Sequence, residues 1–175
     1  MANTLDSLVE KATRPVNAAA LLLAASLVAL AAALVAQYAG GLEPCPLCLY
    51  QRVPFAAGAA LAVLALAAKP QTRGLALALA GAGFAANAGI ALYHVGVENH
   101  WWASAVCGGK PPAIATVEDL RRALGQPAPK ACDTVDWTLF GISMAGYNIV
   151  ISSGLAALAF AGWARTRQSP PGPNP

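Results

Sequence analysis

Apolar positions gather in four long stretches of this chain, and polar positions collect between them. The first stretch runs without a charge from about Val16 to Ala36, and the second, from about Leu47 to Ala68, carries Gln51 and Arg52 near its start. The third spans about Gly74 to Val95 with Asn87 as its one strongly polar interruption, and the fourth runs from about Leu139 to Trp163. A helix needs about 20 predominantly apolar residues to cross a bilayer, and each stretch supplies that length. Between them stand Gly40-Gly41, Lys69-Pro70 and a long polar segment from Gly96 to Thr138, while Pro170 to Pro175 reads as a disordered tail. The pattern predicts one all-α domain, an integral membrane four-helix bundle with a long non-cytoplasmic loop between helices 3 and 4. A soluble helical core is the alternative, and stretches of this length argue against it.

Composition sharpens the picture. Apolar residues make up 57% of the 175 and charged residues 11%, whereas a soluble domain carries roughly 25% charged residues. A surface so poor in charge faces lipid. The net charge of +3 is small and unclustered, which gives nucleic-acid binding little support. Lys11, Arg14, Lys69, Arg73, Arg165 and Arg167 flank the span ends on one side, on termini and a short turn. The other side holds Arg52 and a loop in which Lys110, Arg121, Arg122 and Lys130 are offset by Glu98, Glu118, Asp119, Asp133 and Asp136. Basic residues close to span ends mark the cytoplasmic face, so both termini are expected there. The first span also has a signal-peptide look, with Lys11 and Arg14 ahead of it. It is longer than the roughly 7–15 apolar residues of such a segment, so it is expected to be a retained span.

All four cysteines, Cys45, Cys48, Cys107 and Cys132, fall in the two segments assigned outside the cytoplasm. Disulfides persist in oxidising compartments, and an even count on that side argues for two pairs, by proximity Cys45–Cys48 and Cys107–Cys132. A zinc site usually wants two close pairs, and only Cys45 and Cys48 have that spacing; no metal is expected. A structural staple suits Cys107–Cys132 taken alone. It does not suit Cys45–Cys48, because closing so short a loop removes little chain entropy. C-x-x-C is the spacing of redox-active dithiols, activated by helix N-termini and nearby cations. Pro44 and Pro46 flank Cys45, and a helix starting near Pro46 would put both cysteines at its positive end. Arg52, one turn after Cys48 on the same face, suits a sulfur anion or the anion of a reduced carrier. It also suits an arginine that snorkels to the interface.

The loop offers less. Thr116-x-x-Asp119 resembles a capping box, opening a short amphipathic segment in which Ile114, Val117, Leu120 and Leu124 share a face that could lie on the membrane. Trp101, Trp102, Trp137 and Trp163 are aromatic-belt candidates. Gly108-Gly109 is either a plain turn or a flexible neighbour that leaves Cys107 accessible. His94, at the outer end of the third span, reads first as a membrane-surface histidine. Asn87, Asn148, Ser152 and Ser153 are expected to hydrogen-bond between helices.

With these residues in view, the sequence resembles the disulfide bond formation protein B (DsbB) family over nearly its whole length. Cys45-Pro-Leu-Cys48-Leu-Tyr-Gln-Arg52 looks like that family's C-x-L-C-x-x-[EQ]-R signature at the head of the second span. The loop cysteine pair and Cys132-Asp-Thr-Val-Asp-Trp137 fit it too. The related vitamin K epoxide reductase type places its loop pair before the C-x-x-C, the reverse of the order here. The resemblance implies a bacterial inner-membrane enzyme with its cysteines on the periplasmic side. Cys107 would form a mixed disulfide with a soluble periplasmic thioredoxin-like oxidase such as DsbA. Cys132 would then attack Cys45, and Cys48 would face a bound quinone, ubiquinone or menaquinone. It also implies Arg52 as the main quinone contact and His94 as a weaker one, with Trp137 a lesser candidate for lining the same site. Two rivals are a dedicated oxidase of one client and a non-enzymatic membrane scaffold braced by disulfides.

Overall fold

A computed structural model of the chain describes residues 2–104, 106–107, 116–124 and 130–168. Four helices in it are long and apolar enough to cross a membrane: α2 (Pro15–Tyr38), α3 (Pro46–Ala67), α4 (Pro70–Glu98) and α6 (Met144–Gln168). Proline opens α2, α3 and α4, at the position where its missing N–H costs nothing and its fixed φ is already helical. α4 lies between α3 and α6, and α2 closes the ring against those same two helices. Large apolar side chains such as Val28, Val35, Val53, Val63, Leu75 and Val150 point outward. Helices apolar on both their inner and outer faces belong in a membrane, and the chain forms an all-α membrane bundle.

Small residues let these helices approach closely, as packing in lipid requires. The core comprises Ala19, Leu22, Ala62, Ala65, Leu77, Ala80 and Ala159 around the edge-to-face pair Phe55–Phe84. Phe84 is admitted because residue 58 is glycine; a β-carbon there would sit 2.5 Å from the ring. At the α3–α4 turn the Arg73 guanidinium donates to the carbonyls of Ala65 and Ala68, at 2.8 and 3.0 Å. A cation on the last carbonyls of a helix satisfies groups that have no helical donor.

Three features depart from the sequence expectation. α1 (Ala2–Ala12) precedes the first span and leaves Leu5, Leu8 and Val9 exposed. The last span begins at Met144 and ends at Gln168, later at both ends than expected. The reason is a hairpin of β1 (Thr138–Leu139) and β2 (Ile142–Ser143), paired Thr138 with Ser143 and Leu139 with Ile142. Its turn residues Phe140 and Gly141 both have positive φ, 50° and 76°, the backbone of a tight two-residue hairpin. Ser143 then accepts from the Gly146 N–H at 3.1 Å, capping α6. Lastly, Ser153 is exposed on the outside of α6 and does not join the polar contacts of Asn87, Asn148 and Ser152.

In the loop, α5 (Val117–Leu124) has the expected cap. Asp119 N–H donates to Thr116 Oγ1, and Thr116 N–H donates to Asp119 Oδ2, both at 3.1 Å. Gly108-Gly109, Lys110, Ile114, the side chains of Leu120, Arg122 and Leu124, and Pro170 to Pro175 lie outside the described residues.

Candidate functional site

The site is built at the N-terminus of α3. Cys45 is its N-cap residue, in extended conformation, and its sulfur accepts from the Cys48 N–H at 3.3 Å. One helical turn brings Cys48 back over Cys45, with the two sulfurs 2.9 Å apart. Both are thiols here, so the pair expected as a disulfide is in its dithiol form. The hydrogen bond from the Cys48 thiol, aided by His94 and the Cys48 N–H against the opposing effect of burial, holds the Cys45 thiol down to about 4. Sulfur at a helix N-terminus, with donors around it, is favoured as thiolate.

The second pair is bonded. Cys107 and Cys132 form a disulfide with their Cα atoms 5.6 Å apart. The two halves differ in exposure: Cys132 is buried against Cys45, Leu47 and Val97, whereas Cys107 is only half-buried. Sulfur of Cys45, sulfur of Cys132 and a ring nitrogen of His94 all lie within 4.8 Å of one another. Disulfide exchange needs sulfur to reach sulfur, and of the two loop cysteines it is the buried one that faces the helix pair. Next to Cys132, the half-buried Lys130 donates to Asp136 at 2.6 Å, and that carboxylate holds the ammonium above its usual range.

His94, expected first as a membrane-surface residue, is buried instead. Its Nε2 lies 3.6 Å from Cys45 Sγ and 3.8 Å from Glu98 Oε1, and its Nδ1 lies 2.9 Å from Gln51 Nε2. Glu98 is itself tied to the hairpin, accepting from the Ser143 hydroxyl at 2.6 Å.

A cavity of about 480 Å³ opens beside these groups, lined by Cys45, Cys48, Arg52 and His94, by Ala29, Ala33 and Gln37 of α2, and by Trp137 and Asn148. Arg52 does not snorkel away from it. Its Nη1 donates to Gln37 Oε1 at 2.7 Å and its Nη2 lies 3.5 Å from the Ala33 carbonyl.

The family model for disulfide bond formation protein DsbB matches residues 15–162, a range that holds all four cysteines, Arg52 and His94. The chain belongs to the DsbB family. Curated relatives named disulfide bond formation protein B say the same of most of its length. The Methylococcus capsulatus protein is 34% identical over 149 residues, covering 77% of this chain and 85% of that protein. The Methylobacillus flagellatus protein is 33% identical over 135 residues, 73% and 80% of the two chains. One from Xanthomonas campestris is 35% identical over 146 residues, 74% and 79%. No solved structure gives a significant match. As a DsbB-family member the chain is a multi-pass membrane protein and a disulfide-forming oxidoreductase.

Sequence reading gave no site role to Gln37, to Glu98, counted only among the loop acids, or to Gln51, noted as a polar residue of the second span and of the signature. Each had a signal: a polar or ionisable residue at the end of an otherwise apolar span rarely lies idle there.

Proposed function

We propose that this chain is a thiol:quinone oxidoreductase of the bacterial inner membrane. It reoxidises a soluble periplasmic thioredoxin-like oxidase of the DsbA kind and passes the electrons to ubiquinone or menaquinone. The observation that carries this reading is the convergence of Cys132, Cys45 and His94 within 4.8 Å, beside a cavity onto which Cys48 and Arg52 open. The charge asymmetry of the span ends supports cytoplasmic termini and periplasmic cysteines.

The exchange steps follow from accessibility. A partner thiolate attacks Cys107, breaking its bond to Cys132 and releasing the Cys132 thiolate. The partner's second thiol displaces Cys107 and leaves the partner oxidised. Cys132 attacks Cys45 of the Cys45–Cys48 disulfide and expels Cys48; Cys107 then attacks Cys132 and expels Cys45. The loop disulfide is restored and the helix pair is left as a dithiol. Each step trades one S–S bond for another, and a low-pKa leaving sulfur speeds it. The cavity residues fit a quinone: an alanine-rich wall suits an apolar ring and tail, and one guanidinium suits a ring oxygen that gains charge. What a bound quinone supplies is an acceptor for two electrons and two protons when the Cys45–Cys48 bond re-forms.

Purified protein should reduce a soluble quinone at the expense of the partner's dithiol, and Cys48→Ser should abolish it; an unchanged rate would overturn the reading. With Cys132→Ser, the Cys107 thiolate attacks the partner's disulfide and stays joined to it. The protein so captured separates a general oxidase from a dedicated client.

A further inference from the structure

We propose that Gln51 and Asn148 are positioning residues that hold His94 as its Nε2–H tautomer, with that N–H directed at the Cys45 sulfur. They belong to a polar chain that crosses the bundle, buried except at the half-buried Asn148. Asn87 Nδ2 donates to Ser152 Oγ at 2.9 Å and lies 3.4 Å from Asn148 Oδ1; the Ser152 hydroxyl donates to Asn148 Oδ1 at 2.9 Å. With its oxygen taken by those donors, Asn148 turns its NH₂ to Gln51 Oε1. The Gln51 NH₂ is thereby aimed at His94 Nδ1, 2.9 Å away. A ring nitrogen that accepts carries no proton, so the proton of neutral imidazole sits on Nε2.

The direction of the chain follows from its far end. Asn87 Oδ1 is buried without a partner among the described residues. Were every amide reversed, the orphan would be an Asn87 N–H, and buried orphan donors are rarer than under-satisfied carbonyls. Glu98 acts the same way at the near end, since a carboxylate 3.8 Å from Nε2 favours a proton there. In the forward direction His94 gives Cys45 a hydrogen bond in its departing, anionic form while keeping its own proton. In the reverse direction it would present a lone pair to sulfur.

The inference rests on the proposed relay only for the step it serves; the tautomer is measured with neither partner nor quinone. Charged and titratable groups around His94 and Cys45 are Glu98 on α4, Cys48 and Arg52 on α3, Glu43 before it, Lys130 with Asp136 in the loop, and Tyr147 on α6. All of them are retained in the variants below.

The chain has two histidines, so His100→Gln in full-length, ¹⁵N-histidine-labelled protein in lipid nanodiscs leaves the His94 signals alone. Reduced protein is expected to show protonated Nε2 and bare Nδ1; a protonated Nδ1 with bare Nε2 overturns the proposal before any substitution at the chain. Gln51→Met and Asn148→Leu are expected to mix the tautomers and raise the pH midpoint of Cys45 alkylation by about one unit. Gln51→Glu, which places a carboxylate at Nδ1, is expected to protonate both nitrogens and keep the midpoint low. A packing role alone predicts the same small shift for Met and Glu, and that result would also overturn it.

Discussion

Arg52 on α3 donates to the side-chain oxygen of Gln37 on α2, at 2.7 Å, across the mouth of the cavity that Cys48 lines. The bond fixes a long side chain that would otherwise lose rotamer freedom on meeting a ligand. In Gln37→Leu the guanidinium is free to swing toward the interface. The KM for quinone is expected to rise about five- to tenfold, as for the loss of roughly 1 kcal/mol of preorganisation. The KM for the partner dithiol should not move, because Cys107 lies outside that cavity. Steady-state kinetics with each substrate varied in turn would separate the two. Equal changes in both constants would mean that Gln37 supports the fold rather than the arginine.

Cys45 gives a pH dependence with a definite sign. Its thiol is held down to about 4 from an ordinary 9.0, so the folded dithiol form binds fewer protons than the unfolded chain between those values. The stabilisation is therefore complete above about pH 9 and shrinks as pH falls, vanishing below about 4. Iodoacetamide should modify Cys45 in reduced protein well below pH 7, where an ordinary thiol is inert. Thermal unfolding of reduced protein against pH should show the matching slope, and that slope should vanish in Cys45→Ser.

The spans and the redox pair were legible in the sequence because each rests on local rules. Length and lack of charge mark a membrane helix, and the proline before Leu47-Cys48 marks where α3 begins. The fourth span was misplaced because Thr138 to Ser143 is as apolar as the helix after it. Only the positive φ of Phe140 and Gly141 shows the chain turning back there, and phenylalanine gives no warning of that backbone. His94 was misread for a different reason. Its burial depends on Gln51 and Cys45 arriving from α3 and its N-cap, and no window of sequence around Tyr93-His94-Val95 contains that information.

Gly96 governs how the loop leaves α4. The Trp102 indole lies directly over it, stacked on Tyr93 at 5.8 Å and donating to the Tyr93 carbonyl at 3.0 Å. A β-carbon at residue 96 would overlap the indole ring. In Gly96→Ala the tryptophan must move or the helix must shift, at a cost of about 1–3 kcal/mol. A lower Tm with a changed tryptophan emission maximum is the expected outcome. Because Ser104 holds the Cys107 N–H at 3.0 Å a short way downstream, partner-dependent exchange should slow as well. An unchanged Tm would mean that the loop is held elsewhere.

The unequal burial of Cys107 and Cys132 makes the order of exchange testable without any partner. Remove Cys107 as Cys107→Ser, and Cys132 is left as a thiol beside Cys45, in a protein whose Cys45–Cys48 pair can be oxidised. Its thiolate can attack Cys45 and release Cys48, but no Cys107 thiol remains to resolve the new bond forward. The variant should therefore accumulate a Cys45–Cys132 crosslink, found by peptide mapping under non-reducing conditions, with Cys48 as the free thiol. The converse variant, Cys132→Ser, leaves only the half-buried Cys107, and no comparable link from Cys107 to Cys45 should build up. If Cys107 crosslinks to Cys45 as readily as Cys132 does, the loop delivers either sulfur to the helix pair, and burial does not set the direction of the relay.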